Sequence, residues 1–322
     1  MNKPSLAIRC QQLTKTYQGK PPVEAVRGVD LEVQAGECFG VLGPNGAGKT
    51  TTIEILEGLL PPTSGSVRVL DMEWRTHELE IRQRIGVSLQ ETQLSDRLTV
   101  AETITLFRSF YQDGLTADES LKRVSLTEKA GAWIKNLSGG QKQRLSVALA
   151  IVGDPDLLFL DEPTTGLDPG SRRQLWDIIR SFRDRNKTVM ITTHYMEEAE
   201  RLCDRVAIFD QGRVIAMGTP RELIASLGAE HVIEFSLQQE LAGPGKRLLQ
   251  EWLSRLPTVE QVDVSNGSVR MTAAESHSAL GRLFEELERR QLEITSLTTR
   301  HASLEDVFVQ LTGRHLNDDS AE

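Results

Sequence analysis

Cysteine is scarce: Cys10, Cys38 and Cys203 are the three in 322 residues. They are odd in number and unclustered, which excludes a disulfide framework and a cysteine-rich zinc site. Long apolar runs are missing too. The longest stretch without Lys, Arg, Asp or Glu is Cys38 to Gly48, whereas a helix that crosses a bilayer needs about 20 apolar residues. No basic segment followed by an apolar core opens the chain, so no secretion signal is visible. A basic excess is lacking as well: 46 acidic against 37 basic side chains leave a net charge of -9. That argues against a protein held mainly by nucleic-acid phosphates. What is present is a 39% hydrophobic content, enough for ordinary cores, in a chain long enough for two domains. The expectation is a soluble, two-domain chain of a reducing compartment.

Residues 6 to 35 read as extended runs broken by Gly and Pro ("LAIRCQQLTKTY", "VDLEV"), suited to an antiparallel sheet with one wet face. "CFGVLG", "LLFLD" and "TVMITTH" are compact apolar runs without polar alternation, suited to strands buried on both faces of a parallel sheet. With helical stretches between them they predict a doubly wound α/β core, carrying a helical insertion over about 96–152. After "GRVIAMGTP", residues 231 to 311 alternate as βαββαβ plus a last helix, with Asn266-Gly267 as a hairpin signal. This predicts a small ferredoxin-like α+β domain. The division is therefore 1–220 and 221–322, and the tail "NDDSAE" is expected to fray.

"GPNGAGKTT", that is Gly43, Pro44, Asn45, Gly46, Ala47, Gly48, Lys49, Thr50 and Thr51, follows an apolar strand and precedes the helix pattern "TIEILEGLL". In that context G-x-x-x-x-G-K-[ST] is a phosphate loop. Its backbone N–H groups converge on anionic oxygens at a helix N-terminus. Lys49 would face the β- and γ-phosphates of ATP, and Thr50 would offer a hydroxyl to Mg²⁺. "LLFLDEP" puts Asp161 and Glu162 at the carboxyl end of a strand, where open α/β sheets bind ligands. Adjacent strand residues point opposite ways, so Asp161 can serve the hydrated metal while Glu162 orients the attacking water.

"LSGGQ" contains Ser138 and Gln141, a capping box, with Gly139 and Gly140 between them. Capping leaves the glycines unexplained, since each costs about 0.8–1.0 kcal/mol against Ala inside a helix. They make sense if another backbone or a ligand comes close. This is a second helix N-terminus suited to an anion.

Taken together in this order, phosphate loop, LSGGQ and LLFLDEP resemble the ATP-binding cassette (ABC) transporter ATPases over about residues 5 to 220. The resemblance implies a P-loop NTPase core that hydrolyses ATP with Mg²⁺. It also implies that Tyr17 stacks on adenine, and that Gln90 in "IGVSLQE" links metal and water to a membrane-facing groove. Asp168 in "GLDP" would cross between two subunits, and His194 in "TTHYMEEAE" would contact the γ-phosphate. Two copies would enclose two nucleotides head to tail, each LSGGQ reaching the other's ATP. "THYMEEAERLCDRVAIFDQGRVIAMGTP" and "TSLTTRHASLEDVFVQLTGR" resemble the drug, polysaccharide or lipid exporter subgroup, whose membrane-spanning part is a separate polypeptide. The chain would then sit on the inner face of the cell membrane through that partner. A soluble ABC-type ATPase acting on a ribosome or nucleic acid is the alternative. One LSGGQ and one phosphate loop, with no coiled-coil or zinc interruption, weigh against it.

Residue by residue, plainer roles remain open. Tyr17 alone suits a half-buried strand, His194 a strand end, and the run Glu197-Glu198-Ala199-Glu200 a solvated helix face. Cys38 and Cys203 suit small apolar fillers.

Overall fold

The computed structural model describes residues 6–89, 94–239, 244–265 and 268–313. They form two compact units that part between Thr219 and Pro220. In chain order the first holds β1 (Leu6–Tyr17), β2 (Val23–Gln34), β3 (Cys38–Leu42), α1 (Lys49–Leu56), β4 (Ser64–Val69), α2 (Trp74–Arg84) and β5 (Ile85–Ser88). It continues with α3 (Val100–Arg108), α4 (Ala117–Arg123), α5 (Gly139–Ile151), β6 (Leu157–Asp161), α6 (Pro169–Arg183), β7 (Thr188–Thr193), α7 (Met196–Leu202), β8 (Arg205–Asp210) and β9 (Arg213–Gly218).

Two sheets organise this unit. The larger has strand order β5-β6-β7-β3-β8-β9, parallel from β5 to β8, with β9 antiparallel at the edge. Every residue of β3, β6 and β7 is buried, which is why these runs lack polar alternation. The second sheet is antiparallel, in the order β2-β1-β4. Here the expected short runs prove to be two strands of twelve residues each. Register shifts between Cys10 and Leu13 and between Leu13 and Thr14 absorb the irregularities. β4 enters from beyond α1, across 40 residues and more of chain, and no local pattern could announce that pairing. Ile53, Ile55 and Leu56 of α1 lie in one core with Ile8 and Val33 of the antiparallel sheet and Phe159 and Phe209 of the parallel one. Burying each such side chain stabilises by about 1.5–3 kcal/mol, so α1 and the loop before it are fixed from both sides.

The insertion is helical as expected: α3 and α4 each open on a complete capping box, at Thr99–Glu102 and Thr116–Glu119.

The second unit holds α8 (Pro220–Ala225), β10 (His231–Leu237), α9 (Pro244–Leu253), β11 (Val259–Ser265), β12 (Ser268–Ala273), α10 (Ser276–Arg289), β13 (Ile294–His301) and α11 (Leu304–Thr312). Its sheet order, β11-β12-β10-β13, is antiparallel throughout and is the ferredoxin-like arrangement. Leu249, Leu253 and Leu256 with Leu283 and Leu287 pack beneath it. β11 and β12 pair as a hairpin down to Ser265 and Ser268. Asn266 and Gly267 lie outside the described residues, as does the tail.

Candidate functional site

Three neighbouring strands, β6, β7 and β3, end side by side, and the loops leaving their carboxyl ends carry the candidate residues. From β3 the chain turns through residues 43–48 into α1. Gly48 sits at φ 94° as the N-cap residue, and a Cβ there would lie 2.3 Å from the Ala25 carbonyl oxygen. Only glycine fits both constraints. α1 has no side-chain cap and no acidic residue in its first turn, so its N-terminal N–H groups are left for an anion. Lys49 is 5% exposed, and its Nζ donates to the carbonyls of Gly43 at 2.9 Å and Pro44 at 3.0 Å. Burial pulls its pKa below the ordinary value, opposed by the charges of Glu162 and Asp161.

Asp161 ends β6 and is 6% exposed. The Thr192 hydroxyl of β7 donates to it. Burial raises its pKa, against the Thr192 bond. Glu162 lies one residue past the strand, at φ 43°. The divergence of the two acids thus comes from a left-handed backbone turn, not from strand alternation. That conformation is costly for a residue with a Cβ, and such strain gathers at functional positions. It is held by bonds from the Glu162 amide to the Thr192 carbonyl at 3.2 Å and hydroxyl at 2.9 Å. The Glu162 Oε2 faces His194 Nδ1 at 3.2 Å and accepts from the Thr165 hydroxyl at 3.1 Å. The His194 hydrogen bond, against burial, holds Glu162 below its usual range, so it is ionised at neutral pH.

A cleft of about 710 Å³ opens over the loop, lined by Tyr17, Asn45, Gly46, Gly48, Lys49, Thr50, Thr51 and Glu162, with Gln211 and Gly212 from the β8–β9 turn. Tyr17 is 40% exposed, more than a half-buried strand residue, and its hydroxyl is 3.4 Å from Thr51 Oγ1. Thr50 is exposed, and the Asp161 carboxylate acts by its charge on Lys49, the residue before Thr50. Such an all-oxygen set, one carboxylate and one hydroxyl, fits a hard cation that keeps phosphate and water as its other ligands.

The remaining candidates do not line this cleft. Ser138 caps α5: its hydroxyl accepts from Gln141 N at 3.3 Å and Gln141 returns a bond at 3.0 Å. Ser138 and Gly139 are exposed, and a Cβ on Gly139 would meet nothing within 4 Å. Gly140 differs: a Cβ there would lie 2.4 Å from Ser171 Oγ. Its bareness is explained inside the chain, by α6 packing on α5; only Gly139 is left without an internal reason. Asp168 is the N-cap of α6, accepting from Gly170 N at 2.9 Å and from the Ser171 amide at 3.0 Å and hydroxyl at 2.6 Å. The Ser171 hydroxyl foremost lowers its pKa. Gln90 lies outside the described residues.

Two acids depart from their sequence reading. Glu198 does not belong to a solvated face: it is fully buried, and Trp176 Nε1 donates to it at 2.9 Å. Glu197 and Glu200, three residues apart on one helix face, are exposed, so a 3.6-residue period could have singled it out. Glu57, which the sequence reading passed over, ends α1 with 2% exposure. Burial, with Asp161 and Glu54 adding to it, pushes its pKa up to about 8. An acid within the apolar run "IEILEGLL" was the available signal.

The chain is similar to known proteins along nearly its whole length. A sequence profile of ABC transporters matches residues 26–165. A second profile, of the C-terminal domain of DrrA1-3-like ATP-binding proteins, matches residues 218–312. The Nod factor export ATP-binding protein I of Paraburkholderia xenovorans is 39% identical over 98% of this chain and 100% of its own length. The daunorubicin/doxorubicin resistance ATP-binding protein DrrA of Streptomyces peucetius is 39% identical over 99% and 96%. Among solved structures, a dimeric ATP-binding cassette in a post-hydrolysis state with ADP and Pi superposes with TM-score 0.61 at 28% identity, covering 66% of this chain and 98% of that one. The cbiO1 subunit of a Clostridium perfringens ABC transporter complex also gives 0.61 at 28%, over 69% and 92%.

Proposed function

This chain belongs to the ATP-binding subunits of ABC transporters, and we propose that it is the ATPase of an exporter whose membrane-spanning part is a separate polypeptide. Like its family it binds and hydrolyses ATP. Its relatives named for Nod factor export and for drug resistance favour an exporter over an ATPase that acts on ribosomes or nucleic acid.

One observation carries the mechanism. Lys49, Thr50, Thr51 and Glu162 share a cleft, while Ser138 and Gly139 are exposed and line none of it. A nucleotide held by the phosphate loop of one copy therefore keeps a free face for the α5 N-terminus of a second. Tyr17 stacks on the base. The backbone N–H groups of residues 43–49 and the Lys49 ammonium hold the phosphates, after Lys49 exchanges its two loop carbonyls for phosphate oxygens. Asp161 and Thr50 would hold Mg²⁺, which when bound supplies positive charge at the β- and γ-oxygens. Glu162, ionised and oriented by His194 and Thr165, accepts a hydrogen bond from the attacking water; His194 then turns to the γ-phosphate. Asp168, at the mouth of α6, reaches the second copy, and Gln90 relays the state of the site to the membrane subunit. ATP favours the closed pair because its terminal phosphate touches both copies; ADP lacks that contact, so hydrolysis reopens the pair.

Lys49→Ala and Glu162→Gln test this reading. Loss of turnover in both, with nucleotide binding kept in Glu162→Gln, is expected. Near-normal turnover in either variant removes that residue from the mechanism.

A further inference from the structure

Glu198 lines no part of the nucleotide cleft, yet it is fully buried, about one helical turn past His194. A leucine would fill that place without the cost of taking a carboxyl out of water. What a leucine lacks is an oxygen that accepts hydrogen bonds, and Glu198 uses that capacity. Trp176 Nε1 of α6 donates to it at 2.9 Å, and the Thr193 hydroxyl of β7 bonds to it as well. Burial raises its pKa, opposed by the Thr193 and Trp176 bonds.

These contacts close on the turn that carries His194. Thr193 Oγ1 accepts from the Tyr195 amide at 2.9 Å, and the Tyr195 carbonyl accepts from the Glu198 amide at 3.1 Å. His194 therefore sits inside a ring of bonds that runs from Thr193 through Tyr195 to Glu198. α6 grips the same turn a second time. The Arg172 guanidinium lies over the Tyr195 ring, 4.6 Å from its centre, and the His194 imidazole is 4.1 Å from that ring. Trp176 is itself buried between Leu175 and Ile179, so the side chain that bonds Glu198 is fixed in the core.

We propose that Glu198 is a positioning residue for ATP hydrolysis: it clamps the backbone of residues 193–195 to α6, so that the His194 imidazole alone turns between Glu162 and the γ-phosphate. The inference rests on the reading that His194 serves hydrolysis, and adds what holds it in place. With the turn clamped, His194 Nδ1 stays 3.2 Å from Glu162 Oε2. A displacement of about 1 Å in such a support costs up to about 10²-fold in rate. Substrate affinity is spared, because the phosphate loop lies on other elements.

The test uses the full-length chain and a cycle of variants. Glu198→Leu should lower kcat at least tenfold with KM for ATP within threefold of the parent. Glu198→Gln, which keeps an oxygen for Trp176, should restore kcat to within threefold. In a His194→Ala background, Glu198→Leu should cost less than twofold further. Proton spectra of the chain labelled with ¹⁵N-histidine give a readout apart from activity. The hydrogen-bonded Nδ1 proton of His194, assigned by its loss in His194→Ala, should persist in Glu198→Gln and vanish in Glu198→Leu. If Glu198→Leu does not fold, Trp176→Phe removes the donor instead and should lower kcat at least threefold with the same loss of that proton. The proposal is overturned if the loss of kcat recurs undiminished in the His194→Ala background, if it appears in KM instead, or if neither Glu198→Leu nor Trp176→Phe changes kcat and the Nδ1 proton. If His194→Ala turns over like the parent, the reading of His194 fails first and this inference falls with it.

Discussion

At the scale of single residues, Glu162 combines three constraints: a left-handed backbone at φ 43°, a contact with His194 at 3.2 Å, and a hydroxyl from Thr165 at 3.1 Å. Its amide form keeps the shape and loses the charge, so Glu162→Gln should reduce turnover by about 10²-fold or more with nucleotide affinity kept. Steady-state phosphate release alongside equilibrium nucleotide binding checks this. Glu57 makes a prediction of opposite character, in stability. Its folded pKa of about 8 lies above the ordinary 4.5, so the folded state holds a proton that the unfolded state releases. Between pH 4.5 and 8 its ionisation works increasingly against the fold, with Asp161 and Glu54 as the facing charges. Glu57→Gln should therefore melt at a higher temperature than the parent at pH 8, by about 1–3 kcal/mol of stability, and the difference should shrink towards pH 5. Equal melting of the two proteins at pH 8 would contradict it.

Among the elements, α5 separates what two adjacent glycines are for. Gly140→Ala drives a methyl into Ser171 of α6 and should cost about 1–3 kcal/mol, visible as a lower urea midpoint. Gly139→Ala meets open space and should stabilise the isolated chain by up to about 1 kcal/mol while impairing ATP-dependent pairing. In the second unit, Asp306 at the start of α11 accepts from Arg300 of β13 at 2.7 and 2.9 Å and from Arg270 of β12, and bonds the Ser303 amide at 2.7 Å. Asp306→Ala leaves two arginines, one of them largely buried, with Glu234 as their shared counter-charge, and should destabilise that unit by about 3 kcal/mol, measured by its melting. Both sheets' character was legible, because β3, β6 and β7 are apolar throughout and β1 and β2 are not. The βαββαβ order of the second unit was legible from alternating periods and a hairpin signal. What escaped were non-local pairings: β4 joining β1, and α6 packing on Gly140. At the candidate site the phosphate loop and LLFLDEP announced themselves through short motifs. The Thr192 bonds to Asp161 and to the Glu162 amide depend on elements distant in sequence and had no local mark, whereas the burial of Glu57 and Glu198 had local signals, an acid within an apolar run and a helical period.

For the whole molecule, the two helix starts proposed to receive phosphate do not share a cleft in one chain: Lys49 is in it, while Ser138 and Gly139 stand exposed outside it. A mechanism that uses both needs two copies, with the terminal phosphate of ATP as the shared ligand. Nucleotide state then sets the pairing equilibrium. The most direct test is the molar mass in solution of Glu162→Gln with saturating Mg-ATP and with Mg-ADP, by size exclusion with light scattering. The expected result is twice the chain mass of 35.8 kDa with ATP and the single mass with ADP. A single mass in both, with the nucleotide bound and the membrane subunit present or absent, would contradict it.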